Sequence, residues 1–182
     1  MSLIYSPQED SYLLEKVILE KVPKLVKKNP KLRFLEIGSG SGIQLNASKN
    51  AGIKKDNIFS VDLNNDAIEH CRSLGFRCIR SDLFQFVDEK YDIIVFNPPY
   101  LPESEDNEDK GSRLITTGGK LGSEIINRFL EDAGSHLKDD GRIFLLISSL
   151  TKGISWKGYE KKLVAEEKLF FERLYVYELI KK

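Results

Sequence analysis

Residues 33–42, Arg33-Phe34-Leu35-Glu36-Ile37-Gly38-Ser39-Gly40-Ser41-Gly42, join a short apolar run to a turn with glycine at every second place. The run has strand length and the amphipathic stretch 43–51 after it has helical spacing, so the glycines fall in a strand-to-helix turn. Glycine there lets the backbone approach a ligand closely and aims helix N–H groups at it. The spacing is GxGxG; a dinucleotide fingerprint needs glycine at 43, where the chain has Ile43. Glu36 would repel a pyrophosphate and would suit a ligand with an ammonium or sulfonium group. Together these two residues exclude a nicotinamide-dependent oxidoreductase.

Outward from this turn, strand-length apolar runs recur at 57–61, 76–80, 91–96 and 142–148, separated by amphipathic stretches at 65–74 and 122–137. Strands alternating with helices predict an α/β protein with a mostly parallel sheet covered on both faces. Near the N-terminus, Ser6, Pro7 and Glu9 have the order of an N-cap, a first helical residue and a capping-box glutamate, which predicts a helix over 6–28. The stretch 168–182 is rich in Phe, Tyr, Leu and Ile and leaves little room for a crossover helix, so an antiparallel hairpin is expected there. An acidic segment at 102–112 is expected to be a solvated loop.

The 182 residues suit a single domain, 1–182. Lys and Arg number 28 and so do Asp and Glu, which excludes the strongly cationic balance of a protein that binds by neutralising phosphates. Cys71 and Cys78 are too few for a disulfide framework, lack metal-type spacing and read as core thiols. With no long apolar run and with Glu9 and Asp10 near the start, the expectation is a cytoplasmic protein without membrane segment or metal site.

Three carboxylates close the first three strands: Glu36, Asp62 and Asp82. Asp62 follows Gly42 by 20 residues, where an acidic side chain can accept both ribose hydroxyls. Either Asp alone could simply start a turn or cap a helix. The strand 91–96 runs into Asn97-Pro98-Pro99-Tyr100, which could be a rigid turn. Chemistry offers a second account. A planar amino group is a poor nucleophile because its lone pair is delocalised, and the Asn97 oxygen with the Pro98 carbonyl could accept its two hydrogens while Tyr100 packs on its flat face.

FLEIGSGSG, the acidic VD, SDLF and NPPY together resemble the class I S-adenosylmethionine-dependent methyltransferases that act on planar nitrogens. YSPQEDSYLL and TTGGKLGSEIINRF are further similar to the archaeal and eukaryotic branch of the HemK/PrmC family, which methylates the glutamine of the GGQ motif in peptide chain release factors. The resemblance implies a Rossmann-like fold with a seven-stranded, mostly parallel sheet and an antiparallel C-terminal hairpin. It implies S-adenosyl-L-methionine as cofactor, with Ser11, Glu36, Gly38, Gly40 and Gly42 near its methionine part, Asp62 on the ribose, Asp82 and Leu83 at the adenine, and Asn97 both beside the cofactor and on the substrate amide, next to the Pro98 and Tyr100 that the chemistry of a planar nitrogen assigns to catalysis. Ser11 stands where threonine is more familiar, which keeps the hydroxyl. Alternatives are transfer to the exocyclic amine of adenine in DNA or RNA, which zero net charge and the acidic loop oppose, and a silent cofactor-binding scaffold, which an intact NPPY opposes.

Only 35 residues precede Glu36, room for one helix rather than a recognition domain, so recognition is expected to fall to loops, the acidic segment or a partner. The strand at 76–80 should lie at the sheet edge, with Phe76 and Cys78 on one face and Ile79 on the other. Members of the branch work with a small zinc-binding activator protein, and strand addition along 74–80 is the expected docking mode. His70 and His136 read as packing or surface residues on helices. Trp156 and Tyr159 either line the substrate or anchor their loop, and Gly118 and Gly119 are either a hinge or the turn before a helix capped at Ser123.

Overall fold

The computed structural model describes residues 4–102 and 118–182. The acidic segment beyond Pro102 therefore lies outside the described residues. Helix α1 (Glu9–Lys28) precedes β1 (Phe34–Ile37), α2 (Ile43–Asn50), β2 (Ile58–Asp62), α3 (Asn65–Ser73), β3 (Arg77–Arg80) and β4 (Tyr91–Phe96). Helix α4 (Glu124–Ala133) leads into β5 (Leu137–Ser148), and β6 (Tyr159–Lys168) and β7 (Arg173–Lys181) complete one seven-stranded sheet of order β3-β2-β1-β4-β5-β7-β6. Strands β1 to β5 pair in parallel, and β7 runs antiparallel to both β5 and β6.

The period of two along each strand divides the core in two. Phe34, Ile93 and Val95 point to the face covered by α1 and α2, while Leu35, Ile94 and Phe96 point to the face where α4 inserts Ile126, Phe129 and Leu130. Because both faces are covered, β1 is buried throughout, its Glu36 included.

Several boundaries differ from expectation. Helix α1 begins at Glu9 with Gln8 at its cap and no side-chain capping bond, so Ser6 and Pro7 lie outside it. The Tyr5 hydroxyl instead donates to the Asp10 carboxylate at 3.1 Å, folding the preceding residues onto the first turn. Pro23 sits within α1; it removes the bond to the Leu19 carbonyl, and Leu19 faces solvent, where water can take the place of the lost donor. The helix expected to reach residue 137 stops at Ala133, so His136 lies beyond it, stacked on Phe84 at 4.6 Å, while His70 is exposed on α3. The hairpin begins at Tyr159, not at 168. Its first strand is an edge whose exposed Glu and Lys residues hide its periodicity, a common protection against unwanted pairing. Strand β3 is the opposite edge, as expected, but Phe76 is buried in the core beneath the Lys55 ammonium, 5.1 Å above its ring.

Candidate active site

A cavity of about 670 Å³ opens at the carboxyl edge of the sheet, where β1, β2 and β4 end beside the start of α1. It gathers ten of the eleven residues expected there: Ser11, Glu36, Gly38, Gly40, Asp62, Asp82, Leu83, Asn97, Pro98 and Tyr100. Gly42 is not on its wall. It caps α2 with φ +76°, and a Cβ there would lie 3.2 Å from Leu74 and 3.3 Å from Cys71, so its absent side chain serves helix packing.

The cavity wall carries the carboxylates of Glu9, Asp10, Glu36, Asp62, Asp66, Asp82 and Glu172 and, among the described residues, no Lys, Arg or His. Glu36 is buried, and burial, reinforced by Asp62, pushes its carboxyl well above the usual carboxylate range. Asp62 ties the glycine turn down: one oxygen accepts from Gly40 N at 2.9 Å and from the Ser39 hydroxyl, while the other accepts from Asn64 N at 2.8 Å. Asp82 accepts from Arg128 at 2.8 Å. Beside it Leu83 adopts φ +50°, held where the Ser81 hydroxyl donates to the Leu83 carbonyl and accepts from Phe86 N.

At the other end, the Asn97 side chain is oriented by Asp10. Its Nδ2 donates to the Asp10 carboxylate at 3.2 Å, which turns Oδ1 the other way, buried and without a partner. Asp10 also accepts from the hydroxyls of Tyr5, Ser11 and Tyr100. Burial, and then the charge of Asp10, raises the Tyr100 hydroxyl and keeps it a donor. The backbone behind Asn97 is clamped: the Thr151 hydroxyl donates to the Tyr100 carbonyl at 2.9 Å, and Gly118 N to the Leu101 carbonyl at 2.9 Å. A Cβ on Gly122 would stand 2.3 Å from the Tyr100 carbonyl, so the second glycine-rich turn backs the first.

Asp10 is therefore the residue that sequence reasoning missed, having been taken only as an N-terminal charge. Gln44 is another: it is buried, donates to the Ser11 carbonyl at 2.8 Å and leaves its Oε1 unpaired on the cavity. Among the described residues, the three buried side-chain acceptors without a partner are Glu36 Oε2, Gln44 Oε1 and Asn97 Oδ1, and all three residues line this one cavity. Buried polar groups are almost always paired, so three orphans in one cavity are three acceptors open to the donors of a ligand or of water. Trp156 and Tyr159 lie off the cavity. Tyr159 bonds the Leu130 carbonyl and Trp156 packs on Tyr177, so both anchor their own segment. Ser123 makes no capping bond; the Glu124 carboxylate accepts from Leu121 N and Ser123 N instead.

A doubly wound sheet with a glycine turn, strand-end carboxylates and an Asn-Pro-Pro-Tyr turn around one cavity defines a Rossmann-like methyltransferase. The chain belongs to the methyltransferase small domain family, which it matches over residues 16–155. It is 36% identical over 186 residues to a Methanocaldococcus jannaschii protein named as a protein N5-glutamine methyltransferase, with 95% of this chain and 89% of that one covered. With the release factor glutamine methyltransferase of Streptococcus pneumoniae it shares 36% identity over 131 residues, which cover 64% of this chain and 46% of that protein, so it spans about half the length of that relative. Among solved structures, the E. cuniculi Mtq2-Trm112 complex, responsible for methylation of the eRF1 translation termination factor, matches with TM-score 0.73 and 26% identity over 99% of each chain.

Proposed function

We propose that this methyltransferase moves a methyl group from S-adenosylmethionine to the side-chain amide nitrogen of a protein glutamine, and that its substrate is a peptide chain release factor. The observation that carries this is Asn97: Asp10 fixes its amide with Oδ1 free of any protein donor, an acceptor placed for an incoming amide N–H. The names of the relatives support the choice of glutamine and of release factor.

The residues of the cavity fit S-adenosylmethionine. Seven carboxylates favour a ligand with cationic groups, Glu36 and Gln44 offer acceptors to its ammonium, Asp62 to its ribose, and Asp82 with Leu83 border the adenine. The bound cofactor supplies an electrophilic methyl on sulfur. Asn97 Oδ1 and the Pro98 carbonyl would accept the two hydrogens of the glutamine amide, which raises the electron density on nitrogen and fixes the plane of the group so that one face of it meets the methyl. Transfer would break the sulfur–methyl bond, leave the cofactor as its neutral thioether, and make the amide nitrogen cationic until it gives one proton to water. Pro98 and Pro99 keep the acceptors in place, and Tyr100, held by Asp10 and Thr151, closes that side. The same acidic wall disfavours a phosphate backbone and so an adenine in nucleic acid.

A small zinc-binding activator protein pairs with the edge of β3 in this proposal. The apolar side chains it would cover are Ile79 and Phe86, both exposed, which border a groove of about 340 Å³, not the buried Phe76. Incubation of the chain with labelled S-adenosylmethionine and a class I release factor, with the acceptor mapped by mass spectrometry, tests the central claim. Label on glutamine nitrogen is expected; label only on nucleic acid or on another residue type would refute it.

A further inference from the structure

We infer that the turn of the C-terminal hairpin, Phe170-Phe171, is a docking surface for the polypeptide segment that carries the acceptor glutamine. Within the β6–β7 turn these two side chains are 92% and 85% exposed, far more than any other large apolar side chain among the described residues, and their rings meet edge-on at 4.6 Å. Water-exposed aromatic pairs of this kind are unfavourable unless something covers them.

Their position says what does. Strand β7 runs antiparallel to β5 with Leu174 opposite Ser148, so the turn before it lies at the carboxyl edge of the sheet, the edge at which β4 delivers Asn97. Leu169 and Glu172, the residues on either side of the pair, both line the active-site cavity. The turn is fixed to that place. Leu169 N donates to the Glu172 carbonyl at 2.9 Å, the Ser148 hydroxyl donates to the Glu172 carboxylate, and Ser149 and Arg173 exchange bonds through N, O and Oγ. The tip is thus a rigid apolar projection on the rim of the cavity, in the half of the sheet that holds Asn97 rather than the half that holds the glycine turn.

A free amide or a peptide of a few residues would not reach across this rim, whereas a glutamine presented by a folded protein brings residues beyond its immediate neighbours that lie across it. The charges around the tip favour polypeptide over nucleic acid. Glu166, Glu167 and Glu172 accompany Lys168 and Arg173, and the Arg173 guanidinium already faces the Glu166 carboxylate at 3.8 Å. The activator's edge, β3, is the opposite end of the sheet. The apolar occupant of the tip is therefore the substrate protein beside its glutamine, an inference that rests on the glutamine activity proposed above.

The experiment compares the full chain with a Phe170→Ser/Phe171→Ser variant and a Phe170→Leu/Phe171→Leu control, on an intact release factor and on a tetrapeptide containing the glutamine. The expected result is a KM for intact release factor raised by about tenfold or more in the serine variant, kcat within about threefold, and near-normal behaviour of the leucine control. Cofactor affinity by calorimetry and kcat/KM on the tetrapeptide should not change. An unchanged KM for release factor overturns the docking surface alone, as does an equal loss on the tetrapeptide, which would mean a structural role. No glutamine methylation by the unmodified chain, alone or with its activator, overturns the activity and the docking surface with it. A photo-crosslinking phenylalanine analogue at position 170 provides a second readout. Crosslinks to release factor near its glutamine are expected, and capture only of an oligonucleotide, the activator or a second copy of this chain overturns the inference.

Discussion

At the glycine-turn end of the cavity, Glu36 and Asp62 lie within the last two residues of their strands and Asp82 just beyond the end of its own, whereas at the other end Asn97 depends on Asp10, which helix α1 supplies from 87 residues earlier. The first end is assembled locally. Asp62, for instance, binds the turn after β1 and the turn after β2, neighbouring strands of the sheet. The second end needs α1, the β4 turn, the turn around Gly118 and Gly122, and Thr151 after β5 to arrive together. Cofactor capture and amide activation should therefore separate under mutation.

The largest expected effect lies at the long-range end. Asn97→Ala removes the one orphaned acceptor there and should lower methyl transfer by about 100-fold or more, the scale of losing one preorganised polar group, with cofactor affinity within about threefold. Single-turnover kinetics and calorimetry measure the two separately; an equal loss in both would merge the two ends into one site. At the local end, Asp62→Ala should weaken cofactor binding by about 1.5–3 kcal/mol, since it removes a charged acceptor and also unties Gly40 and Ser39. Unchanged affinity would remove Asp62 from the cofactor site. Between them stands Asp10→Ala, expected to reduce kcat by roughly tenfold because the Asn97 amide is no longer oriented, at a stability cost of about 1–3 kcal/mol for the donors left unpaired. A change in cofactor affinity as large as that in kcat would show that Asp10 belongs to both ends.

The same division explains what could be read from the sequence. Glu36, Asp62 and Asp82 are visible because a strand pattern and its terminal carboxylate are adjacent in the chain, and backbone pairing alone brings the strand ends together. Asp10 was not, because its role is defined by Tyr5, Asn97 and Tyr100, and nothing in its own neighbourhood distinguishes it from a first-turn acidic residue that suits a helix dipole. Phe76 was misjudged for a related reason: edge position is a property of the strand, but burial of the residue before it depends on α2 and α3 folding over it. Strand β6 escaped because its outward residues are charged and its inward ones few, so neither alternation nor an apolar run announces it.

The smallest expected effect concerns Glu36 and separates ligand binding from fold stability. Its carboxyl is raised by burial and by Asp62, so in the ligand-free protein it retains its proton in a pH range where the unfolded chain has already lost it. Over that range the folded state binds more protons than the unfolded state, and stability falls as pH rises from the ordinary carboxylate value through the raised one. A cationic cofactor reverses the preference, because an ionised Glu36 beside an ammonium is favourable, so binding should release a proton and tighten with rising pH across the same interval. Glu36→Gln carries no titrating group. Its melting temperature should decline less than that of the unmodified chain as pH rises above the ordinary carboxylate range, and its cofactor affinity should lose most of its pH dependence while becoming weaker at the upper end. Calorimetry in buffers of different ionisation enthalpy counts the released proton directly. If the unmodified chain binds cofactor with no proton release and the same pH slope as the variant, Glu36 is already ionised before the ligand arrives, and the orphaned oxygen at this end has some other donor.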